Sequence, residues 1–252
     1  MRMRAATIDF NCDLGEGCGD DAAILPWISS ASLACGFHAG DPVTMLTVLR
    51  ACRTQNVAIG AHPAHADREG FGRREQAIDP EQAYALTLYQ IGALAALAAA
   101  QGLRLRHVKP HGALYNQAAR DPQLAAAIAA AVRDFDPSLW LYGLSGSALT
   151  RAGEAAGLRV AHEVFAERRY EVDGSLTPRN HPDAVIHDLD AALRQVRELL
   201  QGHVTARSGE RVTLRADTLC LHGDRPDAPA FAAALHHELS AQGVRIAAPG
   251  AR

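Results

Sequence analysis

The chain has no cysteine pair at Cys-x-x-Cys spacing, no basic cluster, no long uninterrupted apolar run and no stretch that reads as a linker. Each absence closes a class of answer. Cys12, Cys18, Cys35, Cys52 and Cys220 are an odd set in a chain of 252 residues. A chain of that size needs no covalent staples, so neither a disulfide framework nor a structural zinc site is expected, and a reducing cytoplasm is. A formal net charge of −3 with scattered Lys and Arg gives no electrostatic case for nucleic acid or an anionic membrane. The N-terminus, Met1 to Ala6, runs directly into a strand-like segment without an apolar signal core. The Ala-rich run from Gly92 to Ala100 is too short to span a bilayer. With nothing to divide it, the chain is expected to form one domain over residues 1–252.

What is present is an alternation of strand and helix signals. Thr7 to Asp13 reads as a first strand turning at Leu14-Gly15-Glu16-Gly17, and Ser32 to Gly36 as a short buried strand opening into Phe37-His38-Ala39-Gly40. Asp41 caps a helix with Pro42 in its first turn, running to about Gln55 and stopped by Asn56. Val57 to Ala61 is a third strand delivering His62. Asp79, Pro80 and Gln82 make a capping-box start for a long helix ending at Gln101-Gly102. Further strands are expected at Gly102–Arg106, Leu139–Gly143, Leu158–Glu163 and Thr218–Leu221, and helices from Asp121, after Ser147, over Asp183–Leu200 and from Asp227. Asp173-Gly174 reads as a hairpin turn. Alternation of this kind implies parallel strands with crossover helices. Because no Gly-x-Gly-x-x-Gly follows the first strand, a seven- or eight-stranded β/α barrel of the TIM-like class is favoured over a dinucleotide-binding sheet.

In such a barrel the carboxyl ends of the strands form one rim, where chemistry sits. The densest polar stretch, His107-Val108-Lys109-Pro110-His111-Gly112-Ala113-Leu114-Tyr115-Asn116, is expected just after the alternating strand Gly102–Arg106. Period-2 geometry puts His107 and Lys109 on one face. Asn11, Asp13, Glu16, His38, His62, Glu163, His222 and Asp224 fall at other strand ends. Asp13, His38 and His62 are a carboxylate and two imidazoles, enough to hold a divalent metal with open positions; without a metal they would form an acid/base network. Arg73 and Arg74, in a glycine-bearing loop, suit a carboxylate or phosphate, or simply surface ion pairs. Cys12 and Cys35 are more readily small core thiols than nucleophiles. Glu163 could pair with Arg168 or Arg169.

Six segments carry a resemblance: Asn11 to Glu16, Ala34 to Pro42, Ile59 to Pro63, Gly70 to Arg74, His107 to Asn116 and His222 to Asp224. Together they closely resemble the LamB/YcsF family, the A subunit of prokaryotic 5-oxoprolinase. The resemblance implies a β/α barrel akin to glycoside hydrolase/deacetylase folds, and a part in the ATP-dependent opening of 5-oxoproline to L-glutamate. It implies partner subunits B and C. No phosphate-binding loop occurs in the chain, so ATP is expected to be handled with those partners. On this reading Asp13, Glu16, His62, Lys109 and His111 carry the chemistry. Asn11, His38, Arg73, Arg74, Tyr115, Asn116, Glu163, His222 and Asp224 bind substrate. Two other readings stay open, a metal-dependent deacetylase or amidohydrolase and a non-catalytic substrate-binding component of the complex, and homo-oligomerisation is compatible with all three. The segment Thr177 to Asp183 departs from the family's usual pattern.

Overall fold

The computed structural model describes residues 7–224 and 227–251. Along the chain run β1 (Thr7–Leu14), α1 (Asp21–Ile24), a 3-10 turn at Leu25–Trp27, β2 (Ser30–Ala34), α2 (Pro42–Gln55), β3 (Ala58–His62), α3 (Pro80–Ala100), β4 (His107–Val108) and α4 (Gly112–Arg120). There follow α5 (Pro122–Phe135), β5 (Trp140–Leu144), α6 (Ala148–Ala155), β6 (Arg159–Phe165), α7 (Leu189–Leu200), β7 (His203–Thr205), β8 (Arg211–Thr213), β9 (Thr218–His222), α8 (Ala228–Ala241) and β10 (Arg245–Ile246). Strands β1, β2, β3, β4, β5, β6 and β9 pair in parallel in that order, and β9 pairs back to β1, which closes a seven-stranded barrel. The short β10 pairs with the start of β1, Thr7 opposite Arg245, and extends that strand at its amino end.

Local signals explain the helices. The Asp41 carboxylate accepts from the backbone N–H of Val43 and Thr44, and Asn56 takes a left-handed conformation at φ 56°. Asp79 and Gln82 form a complete capping box. The 21 residues of α3 are long and apolar enough, by length and composition, to cross a membrane, where the Ala-rich run alone is too short. The helix is instead the crossover between β3 and β4, burying Ala83, Ile91, Leu94 and Ala98.

The interior of the barrel is unusually polar. In β1, Phe10, Cys12 and Leu14 join the hydrophobic core, while Asp9, Asn11 and Asp13 bond to residues of other strands inside the barrel. At the amino end, Asp9 accepts from the hydroxyls of Ser29, Ser30, Thr218 and Tyr142 at 2.6, 2.8, 2.7 and 3.0 Å. One layer up, Ser32 meets His107 Nε2 at 3.0 Å, and the His107 ring stacks on Tyr142 at 4.1 Å between centroids. A barrel of this type is normally filled with branched apolar residues. Here each layer is a hydrogen-bonded network instead, and a buried network of that kind fixes one geometry only when its members are satisfied. Gly60 belongs to the same layer, because a Cβ there would overlap the His107 ring.

Several elements differ from the sequence expectation. The second strand lies two residues earlier, at Ser30–Ala34. Gly36, at φ 93°, turns the chain out of the sheet so that its N–H bonds Ala39 O. Leu103 to Arg106 form no ladder. The strand is His107–Val108 itself, held by Arg106 N to Ile59 O and Lys109 N to Ala61 O, so His107 sits within the sheet rather than after it. A further helix, α4, begins at once after His111. The helix expected from Asp183 starts at Leu189, where Asp188 supplies the cap. The hairpin β7–β8 has no counterpart in the sequence expectation, and Tyr170 with Leu176 makes a single antiparallel bridge around the Asp173-Gly174 turn.

Candidate active site

The carboxyl ends of the strands open into a cleft lined among others by Asp13, His62, Arg73, Lys109, His111, Tyr115, Glu163, Arg179 and His222. At its floor is an ammonium group. Lys109 follows β4 directly, and its Nζ lies 2.5 Å from Asp13 Oδ1, 3.0 Å from Glu163 Oε1, 2.8 Å from Asn11 Oδ1 and 3.3 Å from Cys220 Sγ. It is 2 % exposed, and it is the only lysine in the sequence. Burial acts to discharge it, but the Asp13 and Glu163 carboxylates outweigh burial and hold its pKa well above the ordinary lysine value. Burial would likewise raise Asp13, yet His62 and Lys109 hold its carboxyl well below the usual range. The pair is therefore ionised at neutral pH. Asn11 completes it by donating to Glu163 Oε1 at 3.0 Å and Thr218 at 2.6 Å. Glu163 thus pairs with Lys109 and Asn11, and with neither Arg168 nor Arg169. Tyr115 points its buried hydroxyl at this cluster, and burial together with the Glu163 carboxylate pushes its pKa well up.

Beside this pair stands a group of imidazoles. His62 Nε2 is 3.3 Å from Asp13 Oδ2 and 2.9 Å from His111 Nδ1. The His38 ring lies flat on His111 with 3.8 Å between centroids, and Glu16 Oε1 approaches His38 Nε2 at 3.1 Å and His111 Nδ1 at 3.5 Å. Burial and the neighbouring His62 lower the pKa of His38 to about 3 and that of His111 well below its usual value. Burial, with Asp13 and Asp224 nearby, raises Glu16 well above the ordinary glutamate value. The loop carrying Glu16 turns back over the rim because Gly15, Gly17 and Gly19 all adopt φ near +75°. The four residues whose ligand atoms converge are Glu16, His38, His62 and His111, all within 4.8 Å of one another. Asp13, expected beside His38 and His62, reaches both sides, with Oδ2 3.3 Å from His62 Nε2 and Oδ1 on the Lys109 ammonium.

The outer wall is cationic. Arg73 is paired with Asp224. Arg179 donates to His222 Nε2 at 2.9 Å, and His222 Nδ1 bonds Glu167. Burial and the Arg179 charge lower the pKa of His222. Arg74, by contrast, is turned away to Asp67 and Glu69 and does not line the cleft. Asn116 lines it from α4, its amide donating to Gly112 O at 3.1 Å. Cys12 and Cys35 are buried thiols whose pKa burial raises, that of Cys35 to about 12, so neither is a thiolate nucleophile.

Sequence reasoning missed Arg179, Arg168 and Glu167. Arg179 and Arg168 line the cleft, and Glu167 orients His222. All arise from the β6–α7 connection, where no local pattern marks them. Lys109, expected among the chemical groups of the rim, lines the cleft and is the one lysine in the sequence.

Comparison with known proteins bears on the family and the fold. The profile of the LamB/YcsF family matches residues 8–251. The 5-oxoprolinase A subunit from Bordetella pertussis is 54% identical over 247 residues, 96% of this chain and 98% of that one. Its counterpart from Methylococcus capsulatus is 54% identical over 98% of this chain and 97% of its own length. The crystal structure of a lactam utilization protein from Thermus thermophilus superposes with a TM-score of 0.90 at 48% identity, covering 96% of this chain and 99% of that one.

Proposed function

Because the chain belongs to the LamB/YcsF family, we propose that it is the A subunit of a 5-oxoprolinase, acting with partner subunits B and C in the ATP-dependent opening of 5-oxo-L-proline to L-glutamate. The observation that carries the reading is the ionised Lys109–Asp13 pair at the floor of a cleft with a cationic wall. It comes together with 54% identity, over nearly the full length, to proteins named as the A subunit of 5-oxoprolinase. The unpaired cysteines support a reducing, cytoplasmic setting.

A five-membered lactam resists water because its nitrogen donates into the carbonyl. Phosphorylation of the lactam oxygen by ATP, carried out with the partner subunits, turns the amide into an imidate phosphate, whose ring carbon is more electrophilic than that of the amide. This chain then supplies the groups for water addition. Asp13 is ionised and faces the cleft, so it accepts the proton of the attacking water; its depressed pKa makes it a weak base, sufficient once the carbon is activated. The Lys109 ammonium stabilises negative charge on the adduct's oxygens. The C–N bond then breaks, its electron pair taking the proton that Asp13 accepted to give the free amine, and the γ-glutamyl phosphate left behind is hydrolysed by a second water to glutamate and inorganic phosphate. Arg73 and Arg179 hold the substrate carboxylate, the planar fork of each suiting two oxygens. His222 carries Arg179 through its Nε2, kept in the accepting tautomer by Nδ1–H donation to Glu167.

The test is D13N in the reconstituted complex. Loss of the base lowers glutamate formation about 10²-fold or more while the fold is kept, because the amide preserves the volume. Wild-type rates in D13N would refute Asp13 as base.

A further inference from the structure

We propose that Glu16, His38, His62 and His111 form a binding site for one divalent transition-metal ion of the zinc class, beside the Lys109–Asp13 pair and distinct from it. Three observations carry this.

The first is spacing. A zinc ion holding nitrogen and oxygen ligands at about 2.0–2.1 Å in tetrahedral geometry places its ligand atoms about 3.3 Å apart. The observed separations are 3.1 Å for Glu16 Oε1 to His38 Nε2, 3.5 Å for Glu16 Oε1 to His111 Nδ1, 4.0 Å for Glu16 Oε1 to His62 Nε2 and 2.9 Å for His111 Nδ1 to His62 Nε2. They bracket the tetrahedral edge.

The second is tautomer logic. His62 Nδ1 lies 2.7 Å from the Lys109 carbonyl and His111 Nε2 lies 2.8 Å from the Phe71 carbonyl. A carbonyl only accepts, so each of those nitrogens carries a hydrogen. The opposite nitrogens, His62 Nε2 and His111 Nδ1, then present lone pairs to each other in the neutral rings. Two lone pairs at that distance attract only through a shared cation. Donation of the outer N–H to a backbone carbonyl is also how ligating histidines are oriented.

The third is convergence. A single shared proton accounts for one histidine pair, but not for a carboxylate oxygen and a third imidazole nitrogen gathered within 4.8 Å of the same two nitrogens. Glu16 arrives from the glycine loop after β1, His38 from the β2–α2 loop, His62 from the end of β3 and His111 from the start of α4, so each of four separate segments contributes one ligand atom. His38 differs from the others. Its Nδ1 has no partner among the described residues, and its ring is placed by stacking on His111 and by the edge of Phe71, so it is the ligand least fixed from outside. Asp13 borders the set, with Oδ1 on the Lys109 ammonium and Oδ2 3.3 Å from His62 Nε2.

The test uses the full chain, stripped with chelator, dialysed against Zn²⁺ and analysed by plasma mass spectrometry. Thermal unfolding is measured with and without the metal, and a Co²⁺-loaded sample gives an optical spectrum. The expected result is one metal per chain, a rise in melting temperature on loading and visible d–d bands of a four-coordinate site. E16Q and H111A should lose stoichiometric binding and the thermal shift, and H38A should weaken both less. Apo E16Q keeps the wild-type apo circular dichroism, so its loss of binding is not a failure to fold. Substoichiometric metal in wild type, or equal metal in wild type and H111A, overturns the proposal. None of these readings depends on turnover of 5-oxoproline, so the site and the proposed reaction stand or fall separately.

Discussion

Removing the Lys109 ammonium should expose how much of this barrel's interior depends on one charge. In K109M the side chain keeps most of its volume but leaves Asp13 and Glu163 facing each other in a buried cluster, formerly joined by Nζ at 2.5 and 3.0 Å. At an effective dielectric constant of about 20, a charge pair 2.5 Å apart attracts by roughly 6–7 kcal/mol. Desolvating each ion costs several kcal/mol, so the net contribution of the pair is much smaller than that attraction. What the substitution measures is a carboxylate left unpaired in the interior, about 3–5 kcal/mol. The released carboxylate lowers its own cost by taking a proton, so K109M should lose stability more steeply as pH rises above about 4, where Asp13 would otherwise ionise. The assay is urea unfolding of wild type, K109M, D13N and K109M/D13N, read as a double-mutant cycle. The double variant, which has no unpaired Asp13 charge, should recover about 1–3 kcal/mol relative to additivity. A loss below about 1 kcal/mol in K109M, or strict additivity in the cycle, would refute the claim that the buried ion pair is a structural as well as a chemical centre.

Other consequences follow from neighbouring contacts. R73A and R179A should raise KM for 5-oxoproline about tenfold or more, since losing a charge-assisted hydrogen bond costs about 1.5–3 kcal/mol; R74A, whose guanidinium is turned to Asp67 and Glu69, should leave KM within about twofold. His107 has its pKa lowered to about 3, by burial first and then by Lys109. With an unfolded value near 6.5, its contribution to stability is complete above that pH and is lost as pH falls toward 3. At pH 5 the loss is about 2 kcal/mol, and H107Q should remove that share of the acid sensitivity in urea titrations at pH 7 and 5. G60A should cost about 1–3 kcal/mol in the same assay, because its Cβ meets the His107 ring.

Much of the frame was legible because it is written locally. Asp41, Asn56 and Asp79 mark helix ends by side-chain hydrogen bonds within a few residues of themselves, and strand–helix alternation implies a parallel barrel without knowledge of any contact. The boundaries of β4 were not legible. Leu103 to Arg106 alternate like a strand, but ladder pairing depends on where β3 and β5 lie, and those neighbours reach only His107 and Val108. The start of α4 carried no signal either, since His111 makes no side-chain cap and Gly112 is a poor helix former. At the rim, Asn11, Asp13, Lys109 and Glu163 could be gathered from strand ends alone. That Glu16 also comes to His38, His62 and His111 could not, because it depends on how three left-handed glycines fold one loop back over the barrel. The same holds for Arg179, delivered by an irregular connection far along the chain.

The central claim, that this chain is the ring-opening component of an ATP-dependent 5-oxoprolinase, is tested most directly by omission. The purified chain, subunits B and C, ATP and 5-oxoproline are combined, and glutamate is measured with each component withheld in turn. The account predicts glutamate only in the complete mixture, and its loss when wild type is replaced by K109M. Glutamate formation by B and C with ATP in the absence of this chain would contradict it.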